Sequence, residues 1–151
     1  MARVVLEMTT RVPAPLPDVF RFFSDPRNLA RLTPEKMRFR IIAAPLRSLQ
    51  KGDRIEYSIR VFGVPIRWTT LITYWRENEK FEDLQERGPY RYWLHTHTFR
   101  EADGETEMHD RVEYEVPFGI VGRLFGRPLV ARQLRDIFAF RAEAIQRVFA
   151  R

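Results

Sequence analysis

The sequence predicts an α+β fold: a seven-stranded antiparallel sheet wrapped around a long C-terminal helix, in the order β-α-α-β6-α. Two observations lead to this prediction. The middle of the chain is a series of segments in which apolar and polar residues alternate, separated by short turns, as in an antiparallel meander. The last part repeats its apolar residues every three to four positions, as one amphipathic helix does. The apolar face of the sheet needs a cover, and we expect this helix to provide it.

The N-terminal region predicts one strand followed by two short helices. Residues 3–12 alternate in polarity, and two prolines then end the strand. Residues 16–23 place their large apolar side chains on one helical face. A second short helix is expected over residues 25–32, with Ser24 as its N-cap and Pro26 in its first turn.

The rest of the sheet is predicted to come from six consecutive strands. They cover residues 39–43, 54–62, 66–76, 81–87, 90–100 and 106–116. Turn signals separate the last five strands, at Gly63, Glu77-Asn78, Gly88-Pro89 and Asp103-Gly104. Because short turns join neighbouring strands, these strands are expected to be antiparallel.

The C-terminal segment predicts one helix with an apolar stripe over residues 130–148, about five turns long. Pro128 is expected at its start, and Val121, Leu124 and Phe125 are expected in a preceding turn.

Composition excludes several kinds of site. The 151 residues fit a single domain over 1–151. The absence of cysteine excludes thiol nucleophiles, zinc–thiolate sites and iron–sulfur clusters. No apolar run could span a bilayer and no signal-peptide pattern is present, so we expect a cytoplasmic protein without stable membrane insertion. The net charge is +6, but the basic residues are dispersed, so no nucleic-acid binding is expected.

The Asp103-Gly104 turn predicts the register of the last hairpin, because a two-residue turn with positive φ at both positions favours this pair. The register places His97 opposite Asp110 and Trp93 opposite Tyr114. This side of the hairpin is mostly apolar and aromatic, so it is predicted to face the helix.

The preceding hairpin is expected to bring further polar groups to the inner face. A turn at Glu77-Asn78 pairs Tyr74 with Phe81, Ile72 with Asp83, and Thr70 with Gln85. If the alternation of inward and outward side chains continues through the Gly88-Pro89 turn, Asp83 faces His95. The inner face then holds two carboxylate–imidazole pairs, Asp83 with His95 and Asp110 with His97. They form either a satisfied buried network or the polar lining of a ligand cavity.

A single arginine, Arg141, lies on the apolar stripe of the helix. Its guanidinium either pairs with a carboxylate of the sheet, for which Asp83 and Asp110 are the candidates, or reaches water while its stem covers the core.

Four segments resemble the ligand-binding SRPBCC proteins of the START-like, helix-grip superfamily, and the resemblance covers essentially the whole chain. The segments are Trp68-x-Thr70-x-Ile72, Phe81-x-Asp83-x-Gln85-x-x-Gly88-Pro89-Tyr90, Trp93-x-His95-x-His97-x-Phe99 and Ile137-Phe138-Ala139-Phe140-Arg141. The superfamily includes the birch pollen allergen, polyketide cyclases and coenzyme Q-binding proteins. The resemblance implies a cavity between sheet and helix that takes lipids, quinones or polyketides.

The main functional hypothesis is a non-enzymatic carrier or binding module for a small hydrophobic molecule with one polar end. Pockets of this kind combine apolar walls with a few placed polar groups. The expected ligand-binding residues are Tyr57, Trp68, Asp83, Gln85, Trp93, His95, His97, Asp110, Tyr114, Phe138 and Arg141. No catalytic residue and no cofactor is assigned under this hypothesis, and the oligomeric state stays open.

Two other hypotheses use the same polar residues. A cofactor-independent enzyme of the polyketide cyclase or dehydratase type would use a His–Asp pair as general base. A metal site could use His95, His97 and Asp110, but two histidines at this spacing are a weak signal, and no metal ligand is assigned.

Overall fold

The computed structural model describes residues 3–119, 122 and 126–150. The elements are β1 (Val4–Val12), α1 (Leu16–Phe23), two 3-10 helices (Pro26–Leu32 and Glu35–Met37), β2 (Arg40–Ala43), β3 (Arg54–Val61), β4 (Val64–Arg76), β5 (Lys80–Arg87), β6 (Tyr92–Ala102), β7 (Glu105–Glu115) and α2 (Arg127–Val148). This order confirms the predicted α+β fold class. The predicted turn around Val121, Leu124 and Phe125 lies outside the described residues.

All seven strands form one antiparallel sheet in the order β1-β7-β6-β5-β4-β3-β2. Strands β2 to β7 follow the predicted meander, and β1 pairs with β7 at the far edge. The predicted register of the β6–β7 hairpin is confirmed, with His97 opposite Asp110 and Trp93 opposite Tyr114. His109 accordingly lies on the outer side, with Nε2 3.2 Å from a Glu7 carboxylate oxygen.

The predicted β4–β5 pairing is correct near the site and wrong beside the turn. Thr70 pairs with Gln85 and Ile72 with Asp83, as expected, but Phe81 pairs with Trp75 rather than Tyr74. The turn has three residues instead of two, and a bulge between Ile72 and Tyr74 absorbs the extra residue. The bulge restores the phase, so Asp83 still faces inward, opposite His95 on β6.

The predicted N-cap of the second helix is also wrong. Ser24 ends α1, and its hydroxyl donates a 2.8 Å hydrogen bond to the Phe20 carbonyl. Asp25 caps the 3-10 helix instead, because its carboxylate accepts a 3.0 Å hydrogen bond from the Arg27 backbone N–H. A Ser-Asp pair offers two capping residues, and the sequence does not decide which residue caps which end.

Among the described residues the core has three apolar parts, of which the smallest is formed by Leu49, Ile55 and Ile72. Of the two larger parts, one gathers around Phe20, Phe99 and Ile145 near α1, and the other around Trp93 and Phe138. The inward histidines and carboxylates lie on the same sheet face as both parts. In the part of the chain that the structure describes, no helix combines the length and the apolar character needed to cross a bilayer.

Candidate functional site

A cavity of about 170 Å³ lies between the inner face of the sheet and α2. Its walls come from strands β3 to β6, the 3-10 helices and the middle of α2. Of the predicted site residues, it is lined by Tyr57, Trp68, Asp83, Trp93, His95, His97, Phe138 and Arg141. The aromatic side chains form most of one wall, while the charged ones meet at a single corner. A mostly apolar space with one polar corner is the usual form of a small-molecule site.

Stacked and edge-on aromatic rings build the apolar wall. The rings of Tyr57 and Trp68 stack with centroids 5.8 Å apart, and Trp68 meets Trp93 edge-on at 5.3 Å. Burial raises the pKa of the Tyr57 hydroxyl, with the charge of Asp83 adding to the effect. Tyr57 therefore stays neutral at physiological pH, as an apolar wall requires.

Three predicted site residues do not line the cavity. Asp110 is almost fully buried beside the histidines, and Tyr114 packs against Trp93 near the end of β7. Gln85 makes two hydrogen bonds to the backbone of Tyr90, donating from Nε2 at 2.8 Å and accepting at Oε1 at 3.1 Å. Gln85 thus holds the β5–β6 loop in place, and that loop carries Tyr90 to the cavity wall.

Sequence reasoning missed the part of the lining that lies outside the regular strands. Tyr90 belongs to a loop rather than to β6, and Leu29, Met37 and Leu49 come from the 3-10 helices and the segment before β3. Short helices and loops have no regular apolar period, so no pattern marks these residues as inward. Only the Pro89-Tyr90 dipeptide within the quoted family motif could have pointed to one of them.

Two histidines and two carboxylates form a buried polar cluster, and their partners differ from the prediction. His95 Nε2 lies 2.7 Å from an Asp110 oxygen, and His97 Nε2 lies 2.6 Å from an Asp83 oxygen. Each imidazole thus makes its shorter contact, through Nε2, to the carboxylate that faces the neighbouring histidine. The predicted pair of Asp110 with His97 is present as a longer contact of 3.3 Å to Nδ1, whereas Asp83 and His95 are opposite each other in the register without a hydrogen bond. Diagonal positions across a ladder are within reach of long side chains.

Asp110 connects both histidines. The same oxygen that bonds His95 Nε2 also lies 3.3 Å from His97 Nδ1. The two imidazole rings stack with centroids 3.7 Å apart, and His97 stacks in turn on Phe81 at 4.1 Å. The histidines are thus fixed on both sides by ring contacts and at their edges by carboxylates.

Arg141 completes the cluster from α2. Its Nη2 lies 3.5 Å from Asp110 Oδ1, and only 11% of its side chain is exposed. The guanidinium also lies over the rings of Phe23 and Phe138, 5.2 and 5.7 Å from their centroids. Of the two alternatives for Arg141, the structure therefore supports the buried ion pair rather than the extension to water.

The neighbours set the charge of each group. Burial would raise the pKa of Asp110, but Arg141 and hydrogen bonds from both histidines hold it well below its usual value. Burial likewise acts against ionised Asp83, but the hydrogen bond from His97 brings its pKa below the usual value. Both carboxylates are therefore ionised at neutral pH.

The two histidines shift in opposite directions. Burial and the charge of His97 lower the pKa of His95, despite its hydrogen bond to Asp110. Burial would also lower the pKa of His97, but hydrogen bonds to Asp110 and Asp83 raise it instead. The two ionised carboxylates are thus offset by Arg141 and, when it is protonated, by His97, whereas His95 is neutral at neutral pH. Neutral His95 donates Nε2–H to Asp110, which leaves its Nδ1 as the lone-pair acceptor for a ligand.

Among the described residues, Asp83, His95 and His97 could hold a metal ion, because one ligand atom from each lies within 4.8 Å of the others. The ring planes of the two histidines are only 23° apart and stacked, so their in-plane lone pairs do not converge on one point. A metal would also have to displace the proton between His97 and Asp83.

Comparison with known proteins places this geometry in a family context. The family model described as "Polyketide cyclase / dehydrase and lipid transport" matches residues 3–150. A search of curated protein sequences found no match.

Solved structures share the fold at low sequence identity. Protein CV1439 from Chromobacterium violaceum has a TM-score of 0.75 at 16% identity, covering 98% of this chain and 99% of that one. A START superfamily protein from Mycobacterium smegmatis has a TM-score of 0.73 at 14% identity, with 96% of each chain covered. The di-domain aromatase/cyclase StfQ from the steffimycin biosynthetic pathway has a TM-score of 0.75 at 12% identity, covering 98% of this chain and 50% of StfQ. Similarity at these identities concerns the fold alone.

Proposed function

The chain belongs to this polyketide cyclase / dehydrase and lipid transport family, and on that premise we propose that it is a single-domain, non-enzymatic carrier or binding module. Its ligand is a small hydrophobic molecule with one polar end, of the lipid, quinone or polyketide-like class. The observation that carries the proposal is the cavity under α2, with aromatic walls and one polar corner. Apolar walls bind by removing apolar surface from water, and the corner orients the ligand.

The size of the cavity limits the part of the ligand that is enclosed. A dry apolar cavity of about 150 Å³ accepts benzene, and the cavity here has about 170 Å³. The enclosed part is therefore one ring or a short branched chain. A longer molecule would extend past Met37 and Gln133, which line both the cavity and an open groove beside it.

The polar corner favours a ligand oxygen. Arg141, together with His97 when it is protonated, attracts a carbonyl or an enolate oxygen, while Nδ1 of His95 accepts a hydrogen bond from a hydroxyl. A quinone, with carbonyl groups on a flat apolar ring, satisfies both the wall and the corner.

The test uses 2-methyl-1,4-naphthoquinone as the probe, with one of its two fused rings expected inside the cavity and the other towards the groove. Isothermal titration calorimetry is the readout. Wild type is expected to bind it at one site per chain. Leu29→Trp should abolish binding, because Leu29 lines the cavity and the larger ring fills it. Leu46→Trp, which adds the same side chain at an exposed position away from the cavity, should bind like wild type. Native mass spectrometry of the purified protein shows in parallel whether a lipid or quinone copurifies.

An enzyme is the second candidate, and one observation favours it: neutral His95 is oriented by Asp110 and lines the cavity. His95 Nδ1 would take the proton from a carbon between two carbonyl groups. The electron pair would move to a carbonyl oxygen as an enolate beside Arg141 and His97, as general-base catalysis requires. Deuterium exchange of ethyl 2-methylacetoacetate in D₂O, followed by NMR, tests this step. Exchange no faster with wild type than with His95→Gln would rule the enzyme out.

A further inference from the structure

The mouth of the cavity carries apolar side chains that the fold leaves in water. We define the mouth surface by Lys36, Arg60, Phe62, Val64, Leu129 and Arg132. All but Val64 line an open groove of about 470 Å³ between the β3–β4 hairpin and the start of α2, and Val64 is next to Gly63 of the same groove. Met37 and Gln133 line both this groove and the cavity. The mouth surface therefore lies beside the opening through which a ligand would pass.

Three large apolar residues on the mouth surface are more than half exposed. The exposed fractions are 52% for Phe62, 57% for Val64 and 55% for Leu129. Single exposed apolar residues are common on proteins, whereas a group of them at one opening marks an interaction site.

The backbone conformation of Phe62 is a second reason to look for a role of this residue outside folding. Phe62 and Gly63 form the two-residue turn between β3 and β4, with φ of 50° and 79°. This turn favours asparagine or glycine at its first position, and a bulky residue with positive φ is uncommon. Phe62 is thus disfavoured both by its backbone conformation and by its exposure, which points to a role outside folding.

The charges around these residues are mainly basic. Lys36, Arg60 and Arg132 line the groove against a single acidic residue, Asp136, in a chain whose net charge is +6. We propose that the mouth surface docks on an anionic lipid bilayer, with Phe62, Val64 and Leu129 entering the boundary between headgroups and acyl chains. Apolar side chains ringed by cations complement such a surface, because the cations are attracted to the anionic headgroups.

The topology places another exposed aromatic residue at the same end of the sheet. The β3–β4 turn and the segment after β7 lie at one end, because β4 begins where β5 and β7 end. Phe118 in that segment is 82% exposed and also has a positive φ, 70°. If this end docks on the bilayer, the cavity mouth faces the acyl chains. The docking proposal does not depend on whether the cavity binds a ligand.

Vesicle cosedimentation tests the proposal. Wild type is expected to bind mixed phosphatidylcholine–phosphatidylglycerol vesicles at low salt, and to bind much less to pure phosphatidylcholine or in high salt. Arg60→Gln should weaken binding about fivefold, and Phe62→Asn about tenfold or more. Because asparagine suits the turn, Phe62→Asn should fold at least as stably as wild type.

Two matched controls lie at the other end of β3. Leu46 is 88% exposed and Lys51 is exposed, and both precede that strand. Leu46→Asn and Lys51→Gln should leave vesicle binding unchanged. Equal loss in these controls, or equal binding to neutral and anionic vesicles, would overturn the proposal. The proposal would also fail if wild type does not bind vesicles and instead forms a dimer that Phe62→Asn dissociates. The mouth surface would then be covered by a second copy of the chain.

Discussion

At the scale of single residues, Arg141 allows the sharpest test of the polar cluster. Removal of one member of a buried ion pair leaves an uncompensated charge, which typically costs about 3–5 kcal/mol. Arg141→Met should therefore lower the free energy of unfolding by that order at neutral pH, because it leaves Asp110 without its cation. The loss should shrink in acid, where the orphaned carboxylate takes up a proton. Urea unfolding at both pH values measures the effect, and equal midpoints for variant and wild type at neutral pH would contradict the ion pair.

The opposite pKa shifts of the two histidines predict a maximum of stability near pH 6.5, the ordinary pKa of histidine. His97 has a raised pKa in the fold, so its contribution is present below pH 6.5 and is lost as the pH rises through the folded pKa. His95 has a lowered pKa, so the unfolded chain binds a proton first and stability falls as the pH drops below 6.5. The contribution of the two histidines to the free energy of unfolding therefore falls on both sides of this pH.

Urea unfolding at a series of pH values checks this profile with two variants. His97→Gln should remove the alkaline limb and His95→Gln the acidic limb, each leaving the other. The facing Asp83 and Asp110 have lowered pKa values and titrate at lower pH, so they do not add to this range. A profile unchanged by either substitution would show that the imidazoles are not the titrating groups.

At the scale of elements, the β5–β6 loop depends on one glycine for space rather than for φ. A Cβ atom built on Gly88 would lie 2.5 Å from the Gln85 Oε1 that accepts from Tyr90 N–H. Gly88→Ala should therefore push Gln85 aside and break its two hydrogen bonds to Tyr90, at about 1 kcal/mol each. In the Gln85→Ala background, Gly88→Ala should lower the free energy of unfolding much less. A double-mutant cycle measures this coupling, and strictly additive losses would show that the two residues do not interact.

The elements also show how far the sequence determines the site. Asp103-Gly104 fixes one register because few residue pairs suit its turn, so the inward position of His97 and Asp110 followed from the sequence alone. The Glu77-Asn78 turn has no such requirement, and its third residue and compensating bulge were not predictable. Which carboxylate each histidine Nε2 contacts depends on side-chain rotamers. The pattern of apolar and polar residues does not predict rotamers.

At the scale of the whole molecule, a ligand that binds only the folded state should stabilise all of it. With 2-methyl-1,4-naphthoquinone at a free concentration of about 100 times its Kd, the free energy of unfolding should rise by about 2.7 kcal/mol. Leu29→Trp, whose cavity is filled, should show no such increase. The comparison uses urea unfolding with and without the quinone, and an equal increase in both proteins would place the quinone outside the cavity.

The pairing of β1 with β7 has a consequence for how the chain folds while it is being synthesised. Val4 lies beside Tyr114, so β1 finds its partner only after more than a hundred further residues have been translated. Until then β1 and the growing meander both present unpaired edges, which can pair with other nascent chains. The β1–β7 pairing therefore cannot form until β7 has been translated, so the sheet closes late in synthesis.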